Sequence, residues 1–277
     1  MKQLNTMSFQ TLYPTPETVI LKIRYFNIGG MTMEFQGKVA MVTGASVGIG
    51  RAAALLLAQG GADLVLLDVD MEKLRSVQTE VEQFGGVVRI YECDVNDEAK
   101  VHETVTDALA HFSKIDILVN NAALWRHMAK FTEVPTSEWE RYWRINVMGV
   151  VHCTQAVLDS MLKNQYGRII NISSVACVYG NANMVHYSAT KGAVIAMTRA
   201  LAKEVTHQGV LVNSVSPGSV SSSANEDIDS FTPSELSFMG RTGTARENAE
   251  LICFLASDRA SYISGQNIQI DGCRKKQ

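Results

Sequence analysis

The sequence predicts a doubly wound α/β fold, a single domain whose seven-stranded parallel sheet carries helices on both faces. Three observations predict it. From Lys38 onward, short runs rich in β-branched residues alternate with amphipathic stretches of helical length. The strand runs are continuously apolar, as strands buried on both faces are. No internal repeat, low-complexity tract or linker-like change of composition interrupts the pattern after residue 36. Parallel neighbours joined through helices require right-handed crossovers, which leaves one compact arrangement rather than many.

The elements follow in order. Lys38 to Thr43 reads as the first strand, and the Ala/Leu-rich stretch Gly48 to Gln59 as the first helix. Asp63 to Asp68, Val87 to Asp94, Ile115 to Asn120, Arg168 to Ser173, Val210 to Val215 and Asn267 to Ile270 supply the remaining strands. Helices are predicted over Met71 to Phe84, Asp97 to Phe112, Ser137 to Lys163, His186 to His207 and Ala245 to Ala256. Their apolar positions recur at spacings of three and four, as at Val101, Val105, Ala108 and Leu109. The first thirty-six residues stand apart. Their apolar run, Val19 to Ile28, is broken by Lys22 and Arg24 and is far shorter than the roughly 18 apolar residues of a membrane span. No small-residue cleavage site follows it, so a secretory leader is not expected. The alternation over Ile20 to Tyr25 would suit a strand, but Pro14, Pro16 and Gly29-Gly30 bracket it with breakers. The expected organisation is an appendage over 1–36, either disordered or not native, and one domain over 37–277, with Met31 and Met33 as alternative starts.

Composition narrows the function. With 277 residues, 46% hydrophobic and 19% charged, the chain is neither disordered nor collagenous. A net charge of -3 provides no basic field for nucleic acid or an anionic membrane, so a small-molecule partner is expected. The five cysteines, Cys93, Cys153, Cys177, Cys253 and Cys273, are odd in number and widely spaced. Without a Cys-x-x-Cys pair or nearby histidines they suggest neither a metal site nor a disulfide framework, and they read as buried thiols of a cytoplasmic protein.

The first strand runs directly into Thr43-Gly44-Ala45-Ser46-Val47-Gly48-Ile49-Gly50 and then into a helix. Such a turn offers backbone N–H groups and the positive end of a helix to a pyrophosphate, while glycines allow close approach. Asp68 ends the second strand eighteen residues after Gly50, where a carboxylate can accept from both hydroxyls of an adenosine ribose. A 2'-phosphate there would face like charge, and Val47 and Val69 supply no cation, so NAD is expected over NADP. Arg51 is the one nearby cation and reads as a solvated helix residue.

Tyr187 and Lys191 lie four apart in a helical stretch and share one face. Ser174 ends the fifth strand thirteen residues earlier, at the edge where parallel sheets form their ligand crevice. For a tyrosine to exchange protons near neutrality its pKa must fall by about 3, roughly 4 kcal/mol. A lysine ammonium at about 4.5 Å supplies about 0.9 kcal/mol in water and about 3.7 kcal/mol at an effective dielectric constant of 20, so the site must be sheltered.

These motifs, together with Asp94-Val95, Asn120-Asn121-Ala122-Ala123, Asn146 and Pro217-Gly218, coincide in order and spacing. The chain resembles the short-chain dehydrogenase/reductase family, in its single-domain, Rossmann-like branch of about 250 residues, from Phe35 to Gly272. The resemblance implies a Ser-Tyr-Lys-Asn site. Tyr187 would exchange a proton with the substrate oxygen and Ser174 would hold that oxygen. Lys191 would bind the nicotinamide ribose and lower the tyrosine pKa, and Asn146 would anchor a water leading to solvent. It also implies cofactor contacts from Gly44, Ser46, Gly48, Ile49, Gly50, Asp68, Asp94 and Val95 at the adenosine and pyrophosphate end. Asn121, Ala122, Tyr187, Lys191, Pro217, Gly218, Val220 and Ser222 would serve the remainder. Ala123 stands where the family usually has glycine, and Gly272-Cys273 where it usually has a glycine pair. Cys273 reads as a packed thiol, and Ser173 competes with Ser174 for the serine role.

The expected activity is NAD(H)-dependent interconversion of a secondary alcohol and a ketone. Reduction of 3-oxoacyl thioesters with NADPH, and NAD binding without chemistry, are the alternatives. Ser219 to Gly240 reads as a mobile substrate lid, and its acids Glu226, Asp227, Asp229 and Glu235 meet no basic residue before Arg241, which favours a neutral substrate. Trp125, His127, Met128, Val175, Tyr179, Asn183, Met184 and His186 are expected to line the pocket. His186 is an alternative base, and Trp139 and Trp143 read as helix packing. The long helices over Ser137 to Lys163 and His186 to His207 carry apolar surface that the family uses for homodimers and homotetramers, and that from the sequence alone could equally face the sheet.

Overall fold

A computed structural model describes residues 34–275 of the protein, without the side chains of Ser222 and Ala224. The Val19 to Ile28 run and the rest of 1–33 lie outside the described residues.

The sheet contains β1 (Val39–Thr43), β2 (Asp63–Asp68), β3 (Val88–Glu92), β4 (Ile117–Asn120), β5 (Gly167–Ile172), β6 (Val210–Pro217) and β7 (Asn267–Ile270). They are parallel throughout, in the order β3-β2-β1-β4-β5-β6-β7. The connecting helices are α1 (Gly48–Gln59), α2 (Met71–Glu82), α3 (Glu98–Phe112), α4 (Thr136–Trp143), α5 (Gly149–Lys163), the single-turn α6 (Ala176–Tyr179), α7 (Val185–Val205) and α8 (Ala245–Ala256). Because side chains alternate across a strand, β1 divides between two cores. Ala40 and Val42 pack with α1, α2 and α8 through Leu57, Leu74 and Ile252. Val39 and Met41 pack with α3, α5 and α7 through Val105, Val157 and Ala202. This two-sided burial is what the continuously apolar strands require.

Three departures from the expected elements have physical causes. Phe35, expected in the appendage, is 3% exposed; its ring covers Gly60 and its N–H donates to the Gly60 carbonyl at 2.8 Å. The single helix expected over Ser137 to Lys163 runs without a break, but Arg144–Met148 within it forms a π turn in which the Gly149 N–H reaches the Arg144 carbonyl, joining α4 to α5. One extra residue in a turn shifts the helix face without leaving a mark in apolar periodicity. Three of the five cysteines are buried as expected, but Cys177 is half-buried and Cys273 exposed.

At the edge of the sheet where the strands begin, buried charges are paired. Asp116 accepts from the Val39 N–H at 2.8 Å and from Lys114 at 2.9 Å. Arg168 donates to Asp258 and to the Gly167 carbonyl, both at 2.9 Å. The Tyr166 ring lies between Arg168 and Lys38, at 4.3 and 3.3 Å.

Candidate active site

The order of strands reverses at β1, between β2 and β4, and the crevice at the strand C-termini there is where doubly wound folds bind ligands. Its floor has no room for side chains. A Cβ on Gly50 would lie 2.1 Å from the Gly44 carbonyl oxygen, and one on Gly44 would lie 2.9 Å from the Ala122 Cα. Gly44 and Gly48 both have positive φ, at 62° and 56°. Asn121 holds this shape: its side-chain amide donates to the carbonyls of Thr43 and Gly44 at 3.1 and 2.9 Å. The Thr43 hydroxyl accepts from the N–H groups of Asn121 and Ala122. Ile49 packs onto the core, so only its main chain faces the crevice side of the turn. The N-terminus of α1 has no side-chain cap and no acidic residue in its first turn. A bare, uncapped helix start over a glycine floor fits a dinucleotide pyrophosphate.

Asp68 sits at the end of β2, half-buried, where it accepts from the N–H groups of Ser46 and Asp70 at 2.9 and 3.0 Å. Arg51 does not compensate it. Its guanidinium forms two bonds to Glu80 on α2, at 3.1 and 2.6 Å, which places it against α2 as an ion pair rather than a solvated residue. Asp94 is exposed and accepts from the Asn96 N–H, while Val95 is buried and its carbonyl meets His152.

Ser174, Tyr187 and Lys191 converge where β5 ends and α7 begins. The Ser174 hydroxyl accepts from the Ala176 N–H at 3.1 Å. Lys191 is 3% exposed, and its ammonium donates to the Ile172 carbonyl at 2.7 Å, 5.9 Å from the Tyr187 ring centroid. Burial pushes the Tyr187 phenol up to about 12, opposed by the Ser174 hydroxyl. Burial also pulls the Lys191 ammonium down to about 8. The resemblance has the lysine lowering the tyrosine pKa; here its ammonium lies 5.9 Å from the centre of the phenol ring and is bonded elsewhere. Desolvation of the phenol is the larger effect, and the ammonium is directed at a carbonyl.

Asn146 is fully buried in the π turn. Its amide oxygen accepts from the Leu124 N–H at 2.7 Å, and its amide nitrogen donates to the Leu124 carbonyl and the Thr190 hydroxyl at 2.9 and 3.1 Å. Thr190 in turn donates to the Tyr187 carbonyl. Thr43 and Thr190 were not singled out from the sequence, although both lie inside the motifs, at the start of the glycine turn and between Tyr187 and Lys191.

The pocket wall differs from expectation. Trp125, Met128 and Tyr179 are exposed along the rim, but Val175 and Met184 are buried. His186 is 0% exposed, with its ring 4.4 Å from Tyr142, 5.5 Å from His127 and 6.0 Å from Trp139. Neither ring nitrogen has a partner among the described residues, and burial lowers its pKa, so it is neutral and shielded from substrate. Trp143 is largely exposed rather than packed.

Pro217 ends β6, and a Cβ on Gly218 would lie 2.9 Å from the Asp271 Cα. Val220 bridges to Gly243, whereas the Ser222 side chain lies outside the described residues. The lid acids are not all without counter-charge, because Asp229 accepts from Arg246 on α8 at 2.6 Å. The lid is also held from behind. The N–H groups of Phe238 and Met239 donate to the carbonyls of Cys273 and Gly272, the Lys275 N–H donates to the Leu236 carbonyl, and Arg274 donates to Asn181 at 2.8 Å.

Comparison with known proteins agrees with this geometry. A family model described as enoyl-(acyl carrier protein) reductase matches residues 44–273. The 3-oxoacyl-(acyl-carrier-protein) reductase FabG of Thermotoga maritima is 39% identical over 243 residues, 87% of this chain and 98% of that protein. The 2-dehydro-3-deoxy-L-rhamnonate dehydrogenase (NAD(+)) of a Sphingomonas species is 33% identical over 247 residues, covering 87% and 96%. A crystal structure of NAD+-bound xylitol dehydrogenase superposes with a TM-score of 0.80 at 34% identity, covering 86% of this chain and 99% of that one. The chain belongs to the short-chain dehydrogenase/reductase family of oxidoreductases.

Proposed function

We propose that the protein interconverts a secondary alcohol and a ketone with NAD(H), using Ser174, Tyr187, Lys191 and Asn146. The observation that carries this reading is the convergence of the first three on the sheet edge that also bears the glycine floor. A nicotinamide dinucleotide supplies the hydride donor or acceptor when bound. Gly44, Ser46, Gly48, Ile49 and Gly50 would hold its pyrophosphate through main-chain groups and Asp68 its adenosine ribose. Asp94 and Val95 would meet the adenine. Asn121, Ala122, Pro217, Gly218, Val220 and Ser222 would line the ribose and nicotinamide.

The half-buried Tyr187 hydroxyl exchanges the proton with the substrate oxygen, and the Ser174 hydroxyl orients that oxygen. A phenol held near 12 is a weak acid with little phenolate at neutral pH, and a turn of the Lys191 ammonium from Ile172 toward the phenol would lower it. Asn146 has both amide N–H donors taken by Leu124 and Thr190, so a water held by this side chain would donate to its amide oxygen, which accepts only from the Leu124 N–H. Asp68, with Arg51 neutralised by Glu80, favours NAD, since a 2'-phosphate would meet uncompensated negative charge.

A second reading is reduction of a 3-oxoacyl thioester with NADPH. It is favoured by the name of the Thermotoga relative and by the rim cations Arg126 and Lys275, which lie over Trp125 and Phe238. A non-catalytic NAD-binding protein is disfavoured by the presence of both Tyr187 and Lys191. Measuring kcat/KM for a panel of ketones and a 3-oxoacyl thioester, each with NADH and NADPH, decides among the three. A preference for NADPH on the thioester would overturn the first reading. We further take the protein to be a cytoplasmic homodimer or homotetramer formed through α5 and α7, which sedimentation in solution tests.

A further inference from the structure

The strand end that bears Ser174 is fastened to α7 by side chains that take no part in the proposed chemistry. Ser173 is buried on the opposite face from Ser174, and its hydroxyl donates to the main-chain carbonyl of Lys191 at 2.8 Å. The same hydroxyl lies 3.3 Å from the Cys177 sulfur. The Cys177 thiol donates to the Ser174 carbonyl at 2.9 Å. With the Lys191 ammonium on the Ile172 carbonyl, three consecutive residues, 172, 173 and 174, are each tied to Lys191 or Cys177. A rotation of the Ser174 peptide would break the thiol bond and, through Ser173, disturb the helix register that places Lys191.

We propose that Ser173 and Cys177 are a pair of positioning residues that lock the Ser174 hydroxyl in register with Tyr187 and Lys191. The inference rests on the catalytic reading given above for those three residues. Removing either side chain lets the Ser174 peptide and α7 move independently. Reacting groups misplaced by a fraction of an ångström lose rate without losing cofactor affinity.

The test compares the full chain with Ser173→Ala, Cys177→Ala and Cys177→Ser. Both alanine variants are expected to lower kcat about tenfold with the KM for NADH within about twofold of wild type. Cys177→Ser, which keeps a donor for the Ser174 carbonyl, should recover most of that loss. Amide hydrogen exchange, read on the substrate-free protein, should accelerate across 173–178 in both alanine variants and return toward wild type in Cys177→Ser. Unchanged exchange and unchanged kcat in Cys177→Ala would overturn the proposal. So would equal losses in the alanine and serine variants at residue 177, accompanied by equal falls in melting temperature, because that pattern is packing alone. If the wild-type protein turns over no member of the substrate panel, the catalytic reading fails while the exchange comparison still decides the lock.

Discussion

The two edges of the sheet treat buried charge in opposite ways. Where the strands begin, Arg168 meets Asp258 and Asp116 meets Lys114, and each also has a main-chain partner. Where the strands end, Lys191 is just as buried but faces only a carbonyl, Tyr187 is held above its ordinary pKa, and His186 has two nitrogens without partners among the described residues. A buried charge with a counter-charge is close to neutral for stability, and one without is costly. The first edge is built to stay folded, whereas the second keeps unfavourable groups where the proposed chemistry would use them.

Mutations can break this contrast. The largest effect belongs to Tyr187→Phe, expected to lower kcat roughly a thousandfold with folding intact, since proton exchange is lost and packing is kept. Steady-state turnover and a thermal melt check it, and near-normal turnover would remove Tyr187 from its role. Next comes Arg168→Ala, which takes a buried guanidinium from the Gly167 carbonyl, the Tyr166 ring and the exposed Asp258 carboxylate and should cost about 1–3 kcal/mol in denaturant unfolding. Its kcat/KM should be normal in the enzyme that remains folded, and a selective loss of activity would mean that the two edges are coupled.

Lys191→Met should separate the two properties at the other edge, abolishing turnover while raising stability at pH 7 by on the order of 3 kcal/mol. The sign follows from the lowered pKa. Between about 8 and 10.5 the unfolded chain binds more protons at this residue than the native protein, so wild-type stability should rise with pH across that window. Lys191→Met should lack that rise, and parallel pH–stability curves would contradict the buried, unpaired charge. The smallest effect sharpens the cofactor end. Asp68→Ser should lower kcat/KM with NADH about 10- to 100-fold while leaving NADPH nearly unaffected, as expected for loss of charged hydrogen bonds to a ribose. Equal losses with both cofactors would place Asp68 in support of the Ser46 turn alone.

How far these features were legible depended on whether they are local in sequence. Continuous apolar strands and the glycine turn are local, and the sheet, its parallel sense and the crevice followed from them. The positions of Ser174, Tyr187 and Lys191 were legible for the same reason, because fixed spacing on a strand and a helix fixes a shared edge. The partner of Arg51 was not, since Glu80 is brought to it from α2 by the fold. Nor was the state of the Tyr187 phenol, because its burial and the bond that directs the Lys191 ammonium to the Ile172 carbonyl both arise from tertiary packing. His186 was placed in the pocket by adjacency to Tyr187, but neighbours on a helix point about 100° apart, and the aromatic rings of α4 enclose it. The π turn left no sign in the periodicity.

The strip formed by 236–239 and 272–275 also bears on timing. Three main-chain bonds join it, each with a net worth of about 1 kcal/mol, so releasing these bonds should cost on the order of 3 kcal/mol. Lid closures exchange on microsecond to millisecond scales. If residues 219–240 close over substrate in the proposed reaction, loosening the strip should speed departure of product, and a substrate deuterated at the carbinol carbon should then show a larger kinetic isotope effect on kcat than it does in the wild-type protein.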